Sequence, residues 1–218
     1  MSEFISTQSG NRIVSDLVNI IISHRDYLSE IDGAIGDGDH GINMSKGFAL
    51  CGDKIRDKSL TLSEGFDVLS DTLMEDIGGS MGPLYGSLFL GMANSIRDKS
   101  ELNRQDFLDM LNSALNELRD VSDAQPGDKC IMDALCPAIS AFGSAVGRGE
   151  SFYSALEKLK LAAAEGRDST RDMVAKIGRA SRLGERSRGV LDAGAVSCCL
   201  LLTQLAESVQ LQLTVIEA

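Results

Sequence analysis

Apolar residues recur at steps of three and four along most of the chain. Ile13, Leu17, Ile20, Ile21, Leu28 and Ile31, with His24 in the same register, trace one such stripe, the spacing that gathers side chains on one face of an α-helix. The same rhythm predicts helices over residues 62–74, 84–96, 107–118, 131–146 and 153–164. Ala195 to Leu205 is apolar on most sides, which predicts a helix buried all round. Alternation of the strand type is scarce, and only the tail, Leu211 to Ile216, reads as extended.

Turn residues separate these segments. Pro83 follows Gly82 and suits the first turn of a helix. Pro126-Gly127-Asp128 ends one segment, with Asp128 expected to cap the next, and Leu102-Asn103 precedes a polar-start helix at Arg104. About eight helices result, without a linker or low-complexity run. Short connections favour antiparallel neighbours, so the expectation is one all-α domain over residues 1–218, built as a helical bundle.

Composition narrows the function classes. The chain has 218 residues, 43% of them hydrophobic, enough to bury a sizeable core. A net charge of −11 argues against nucleic acid as a partner. It leaves phosphorylated ligands open, because Mg²⁺ bridges carboxylates and phosphates. The five cysteines, at 51, 130, 136, 198 and 199, form no Cys-x-x-Cys pair and are expected as reduced thiols in the cytoplasm. The N-terminus lacks the basic start and apolar run of a signal peptide. No apolar stretch approaches the ~20 residues needed to span a bilayer, so no membrane association is expected.

The unusual features are glycine-rich connections. Ile35 to Gly41 reads IGDGDHG, Ile77 to Gly86 reads IGGSMGPLYG, and residues 178–194 carry four glycines and four arginines. Gly36 to Gly41 fits G-x-G-x-x-G, but a dinucleotide fingerprint needs a preceding strand, and the preceding segment here is helical. His24-Arg25-Asp26 is reminiscent of a protein-kinase catalytic loop, yet Ile31 stands where Asn is required. No Walker A motif occurs.

Asp32, Asp37 and Asp39 fall within eight residues. Carboxylates so crowded repel by ~4 kcal/mol per pair at 4 Å and an effective dielectric of 20, unless a cation joins them. An EF-hand is excluded, since counting from Asp37 puts Ile42 at the required glycine and Phe48 at the required glutamate. Spacing alone leaves Mg²⁺ binding and an Asp-rich helix-capping turn equally open. Gly79-Ser80-Met81, after Gly78, leads into a helix whose N-terminus attracts anions, and a tight interhelical turn explains it as well. Arg179 and Arg186 are candidates to grip a phosphate or stack on a base; Arg182 and Arg188 fit surface ion pairs better. His40 is a candidate base or phosphate contact, whereas His24 fits a plain hydrogen-bonding group.

Five blocks together resemble the ADP-binding L subunit of dihydroxyacetone kinases: Asp32 with Ile35 to Gly41 and Asn43-Met44; Gly78 to Ser80 with Gly82 to Gly86; Pro126 to Lys129; Gly178 to Ser181 with Leu183 to Ser187; and Asp192 with Gly194-Ala195. They run in family order over about three-quarters of the chain. The resemblance implies an eight-helix antiparallel up-and-down barrel with a nucleotide at one end. It implies that Asp32, Asp37 and Asp39 are the catalytic aspartates and hold two Mg²⁺ on the phosphates of ADP or ATP. The nucleotide contacts it implies are His40, Gly41, Ile42, Asn43, Gly79, Ser80, Met81, Ser122, Ile131, Arg179, Asp192, Ala193 and Gly194. Met81, Cys130, Arg182 and Ala193 depart from the commonest family residues, and none of them removes a metal ligand.

The implied partner is a K subunit that carries a short ketose such as dihydroxyacetone or erythrulose. In one branch a phosphotransferase-system M subunit recharges bound ADP from phosphoenolpyruvate, the branch favoured here. In another, ATP exchanges as substrate. An ADP-carrying regulatory module on a transcription regulator is a third reading, and homodimerisation is left open.

Overall fold

The computed structural model of the chain describes residues 2–77 and 79–216. Nine α-helices occur among them: α1 (Gly10–Ser23), α2 (Arg25–Ile35), α3 (His40–Ile55), α4 (Leu62–Asp76), α5 (Met81–Ile96), α6 (Arg104–Val121), α7 (Met132–Gly147), α8 (Phe152–Ser169) and α9 (Ala193–Gln210). The all-α class expected from the periodicity is therefore found. One helix more than expected appears because the stripe from Ile13 to Ile31 breaks at His24. The His24 ring takes the Ile20 carbonyl at 2.8 Å, and the His24 N–H shifts to Ile21. An unbroken helix would give that Ile20 carbonyl to the His24 N–H.

Three short strands accompany the helices: β1 (Ser2–Ser6), β2 (Glu101–Asn103) and β3 (Thr214–Ile216). They form one antiparallel sheet in the order β2-β1-β3, with Ile5 opposite Leu102 and Phe4 opposite Thr214. The extended tail was expected. β1 and β2 were not, since so few residues carry no readable alternation.

Helices α3 to α9 pack in chain order, and α9 returns against α1, which also packs on α3 and α4. From α3 onward each helix reverses on its predecessor, mostly through short connections, the exception being residues 170–192 between α8 and α9. α2 lies against α3 and α9. One aromatic cluster, Phe48, Phe66 and Phe89, fills the α3–α5 half, and another, Phe107, Phe142 and Phe152, fills the α6–α8 half. α9 is buried on nearly every side, as its apolar sequence requires.

Caps explain several boundaries. Thr61 with Glu64 and Asn103 with Asp106 form reciprocal capping boxes at α4 and α6, and Ser151 caps α8. Asp128 does not cap α7, contrary to expectation. Its carboxylate accepts from the Gln125 N–H, while Asp133 accepts from Gly127 and Cys130 at 2.5 and 2.7 Å. The inward-facing carboxylate, already part of the helix, holds the loop before it.

Pro137 sits inside α7. It has no N–H to give the Asp133 carbonyl four residues back. Gly166 of α8 packs onto that carbonyl so closely that a Cβ there would overlap the oxygen. Gly166→Ala is therefore expected to destabilise the chain by about 1–3 kcal/mol, read as a lower urea midpoint with an unchanged slope.

Candidate functional site

The alternation of helix direction sorts the two ends of the barrel. The sheet joins the starts of α1 and α6 to the end of α9. At the opposite end, the start of α3, α5, α7 and α9 and the end of α2 and α6 surround a cavity of about 440 Å³. The helices starting away from it, α4, α6 and α8, are capped by their own side chains. α3, α5 and α7, which start at the cavity, have no side-chain cap. Their N-cap residues leave the cavity side open, although the His40 N–H of α3 goes to Asp32 and the Asp133 and Ala134 N–H groups of α7 go to the Cys130 and Ile131 carbonyls, and their dipoles favour negative charge there. Among these four, only α9 is side-chain capped, by Asp192 through the Ala195 N–H at 2.8 Å.

Asp32 stands in the last turn of α2, and Asp37 and Asp39 follow in the connection to α3. One ligand oxygen from each lies within 4.8 Å of the others. Asp32 also accepts from the His40 N–H at 3.3 Å, which ties the end of α2 to the start of α3. Across the cavity mouth, the Arg179 guanidinium pairs with Asp37. Three carboxylates offering only hard oxygen donors fit Mg²⁺ in preference to a softer metal.

His40, Asn43, Gly79, Ser80, Met81, Ser122, Ile131, Arg179, Asp192, Ala193 and Gly194 line the same cavity as the aspartates. Gly41 and Ile42 are not among the lining residues. Gly41 is pressed against α2, where a Cβ would overlap the Arg25 carbonyl and crowd Ser29, and Ile42 is 48% exposed. Gly78 lies outside the described residues. Arg188 pairs with Glu185, the surface role expected for it, and His24 hydrogen-bonds at the helix break.

The His40 ring is buried. Its Nε2 meets the Ser197 hydroxyl at 2.9 Å, and Ser197 meets the Tyr85 hydroxyl at 2.6 Å. Tyr85 donates to the Gly194 carbonyl at 3.2 Å. This chain links the starts of α3, α5 and α9 beneath the cavity floor. Burial lowers the His40 pKa to about 4, so the ring is neutral near pH 7.

The DAK2 domain matches residues 34–207, a span that contains the arginine loop and every cavity-lining residue except Asp32. The chain belongs to the DAK2 domain family. Among its relatives, the ADP-binding subunit DhaL of "PEP-dependent dihydroxyacetone kinase 2" from Listeria innocua is 33% identical, covering 96% of this chain and 99% of its own. The ADP-binding subunit DhaL of the Escherichia coli PEP-dependent dihydroxyacetone kinase is also 33% identical, over 86% of this chain and 90% of its own. The dihydroxyacetone kinase of C. freundii, solved in complex with AMP-PNP and Mg²⁺, superposes with a TM-score of 0.69 at 21% identity. It shares the fold over 91% of this chain, which spans about a third (33%) of that protein.

Within this DAK2 fold, several cavity residues escaped the sequence reading. Tyr85 and Lys129 lie inside matched blocks but carried no signal of their own. The Lys129 backbone has φ 64°, the only positive value outside glycine among the described residues. Val121, Ala124 and Ile177 add apolar lining, which residue type alone does not distinguish from core. Cys130 is buried there too, and burial pushes its thiol up to about 12. All five cysteines are free, and no described helix is long and apolar enough to cross a membrane.

Burial also lifts the Asp192 carboxyl to about 7, against the lowering effect of its bond from Ala195. Desolvation wins because the group sits deep at the cavity wall, partly exposed only to the cavity, with Asp133 and Asp32 adding repulsion and Lys129 only partly offsetting them. A folded pKa above the ordinary 3.8 means that the native state binds the proton more readily than the unfolded chain. This group's contribution to stability is then greatest below pH 4 and is lost as pH rises to about 7. Asp192→Asn keeps a capping oxygen and should remove that part of the slope, measured by urea unfolding of the ligand-free chain between pH 5 and 8.

Proposed function

We propose that the chain is the nucleotide-carrying subunit of a dihydroxyacetone-type kinase, holding ADP or ATP with two Mg²⁺ in the cavity. The observation that carries this reading is the meeting, in one cavity, of three convergent carboxylates with three uncapped helix starts. Carboxylates alone would repel a phosphate, and helix starts alone would not need them. Together they match a metal–phosphate ligand.

In this reading Asp32, Asp37 and Asp39 hold the metal. When bound, Mg²⁺ neutralises phosphate charge and helps orient the terminal phosphoryl group. The N–H groups at the starts of α3 and α5, with Ser80, donate to phosphate oxygens. Arg179 supplies a planar fork of donors for the same oxygens. Val121, Ala124 and Ile131 take the base against an apolar wall, and His40, neutral and locked by Ser197, positions the start of α3. Phosphoryl transfer asks the protein mainly for positioning and charge stabilisation, and every one of these groups is suited to that.

The relatives of matching extent are named as subunits of PEP-dependent kinases, which supports a separate K subunit carrying the short ketose and an M subunit recharging bound ADP. Reconstitution tests this. The chain, a K subunit, dihydroxyacetone and a trace of ADP should turn over when phosphoenolpyruvate and the phosphotransferase proteins are supplied. Turnover only with stoichiometric ATP would assign the chain to an ATP-dependent kinase. No turnover in either arm, with a regulator recovered as the binding partner, would leave an ADP-carrying regulatory module.

A further inference from the structure

Residues 173–190 carry Arg179 to the cavity mouth with almost no apolar anchorage. Only Ala175 and Ser187 in that stretch are buried, and its regular structure is a kinked 3-10 segment, Arg179–Ser187. Hydrogen bonds must therefore hold it in place. One side chain supplies three of them. The Lys129 ammonium donates to the carbonyls of Ser187 at 2.5 Å, Val190 at 2.6 Å and Met173 at 3.3 Å. An ammonium has three N–H donors and no acceptor, so this one is fully used.

The three carbonyls lie at the two ends of the stretch and close it into a loop around the lysine. Lys129 itself is 2% exposed. Its backbone is tied to α7 through the Asp133 carboxylate on both sides. The neighbouring Asp128 carbonyl accepts from the Lys176 N–H at 3.1 Å, a second tie between the same two segments. The left-handed φ of 64° at Lys129 is unfavourable for a residue with a side chain. It is held where the ammonium can reach all three carbonyls.

We propose that Lys129 is a positioning residue that fixes the loop bearing Arg179, and thereby sets where that guanidinium stands relative to the aspartate cluster. The effect on nucleotide binding rests on the reading above, whereas the effect on the loop does not. Lys129→Met keeps the apolar stem and removes the donors.

In the ligand-free full chain, hydrogen exchange of residues 173–190 should quicken in Lys129→Met while α4, α5 and α6 keep their protection. Lys129→Arg keeps the charge but not the three-carbonyl geometry, and should quicken the same stretch; it serves if the Met variant does not fold. For Mg-ADP, Lys129→Met and Arg179→Ala should each weaken affinity by about tenfold. The double variant should be no weaker than Arg179→Ala alone, the non-additivity expected when one residue acts through the other. Losses that multiply in the double variant, or unchanged exchange of 173–190 in both lysine variants, would overturn the proposal. Absence of Mg-ADP binding in the unmodified chain would refute the nucleotide reading instead, and leave the exchange result to decide the role of Lys129.

Discussion

Asp37→Ala should abolish Mg-dependent nucleotide binding while leaving the ligand-free fold intact. Asp37 is the most exposed of the three aspartates, so removing it leaves no void in the core. The other two carboxylates lose a like-charged neighbour within 4.8 Å, a relief that solvent screening at the exposed Asp37 holds to about 1 kcal/mol or less. The loss of the Arg179 pair, whose guanidinium is mostly exposed and whose carboxylate is about a third exposed, costs a similarly small amount. The ligand-free melting temperature should therefore hold or rise slightly. Binding behaves oppositely, because a divalent ion with one fewer carboxylate is held less firmly at every nucleotide concentration. Mg-ADP affinity should fall on the order of 100-fold or more. A thermal-shift titration reads both at once, since the gain from ligand of about 2.7 kcal/mol at 100 times the Kd should vanish in the variant. Full retention of that gain would remove Asp37 from the metal site.

Gly41→Ala should be the most damaging single-methyl change near the site, although Gly41 is not among the residues that line the cavity. Its Cα faces the Arg25 carbonyl and the Ser29 backbone of α2, with no room for a Cβ. Backbone cannot move aside as a flexible side-chain tip does, so α2 and α3 must separate. Overpacking of this kind costs about 3 kcal/mol, or roughly 6–12 °C in melting temperature for a chain of this size. Separation also pulls Asp32, on α2, away from Asp37 and Asp39, so Mg-ADP affinity should fall with stability. Calorimetry with and without Mg-ADP checks the coupling. A stable Gly41→Ala protein that bound normally would show that the two helices do not position the cluster.

Residues close in sequence were the readable ones. The aspartates stand within one eight-residue window, so their meeting needed no knowledge of the fold. The helical stripes were legible for the same reason, since a helix face is a local pattern. What escaped depends on distant partners. The His40–Ser197–Tyr85 chain joins residues more than a hundred positions apart, and Ser197 looks like any small polar residue in an apolar helix. Lys129 was visible as part of Pro-Gly-Asp-Lys, but the three carbonyls that give it a role begin 44 residues later. Gly41 shows the reverse difficulty. The resemblance implies Gly41 as a ligand contact, and a glycine pressed on a crossing helix is the same letter, so its packing on Arg25 and Ser29 is visible only in the fold. At Asp128, an acidic residue just before a helix suggested a cap, while Asp133, the second residue of α7, holds the loop.

The uncapped helix starts were also invisible as a set. A cap is legible at each helix separately, as at Thr61 with Glu64. That the uncapped starts of α3, α5 and α7 share one end of the barrel follows only from the up-and-down topology. This contrast between capped and uncapped ends is what separates a phosphate site from an ordinary set of turns.

The most direct measurement is the nucleotide content of the purified chain after extensive dialysis against Mg²⁺ buffer, followed by titration of the emptied protein with ADP in Mg²⁺ and in EDTA. Stoichiometric ADP that survives dialysis, is released by EDTA and rebinds only with Mg²⁺ is the expected result. A protein that comes through dialysis empty and binds neither ADP nor ATP when Mg²⁺ is present would contradict it, and would reduce the three aspartates to a helix-capping turn.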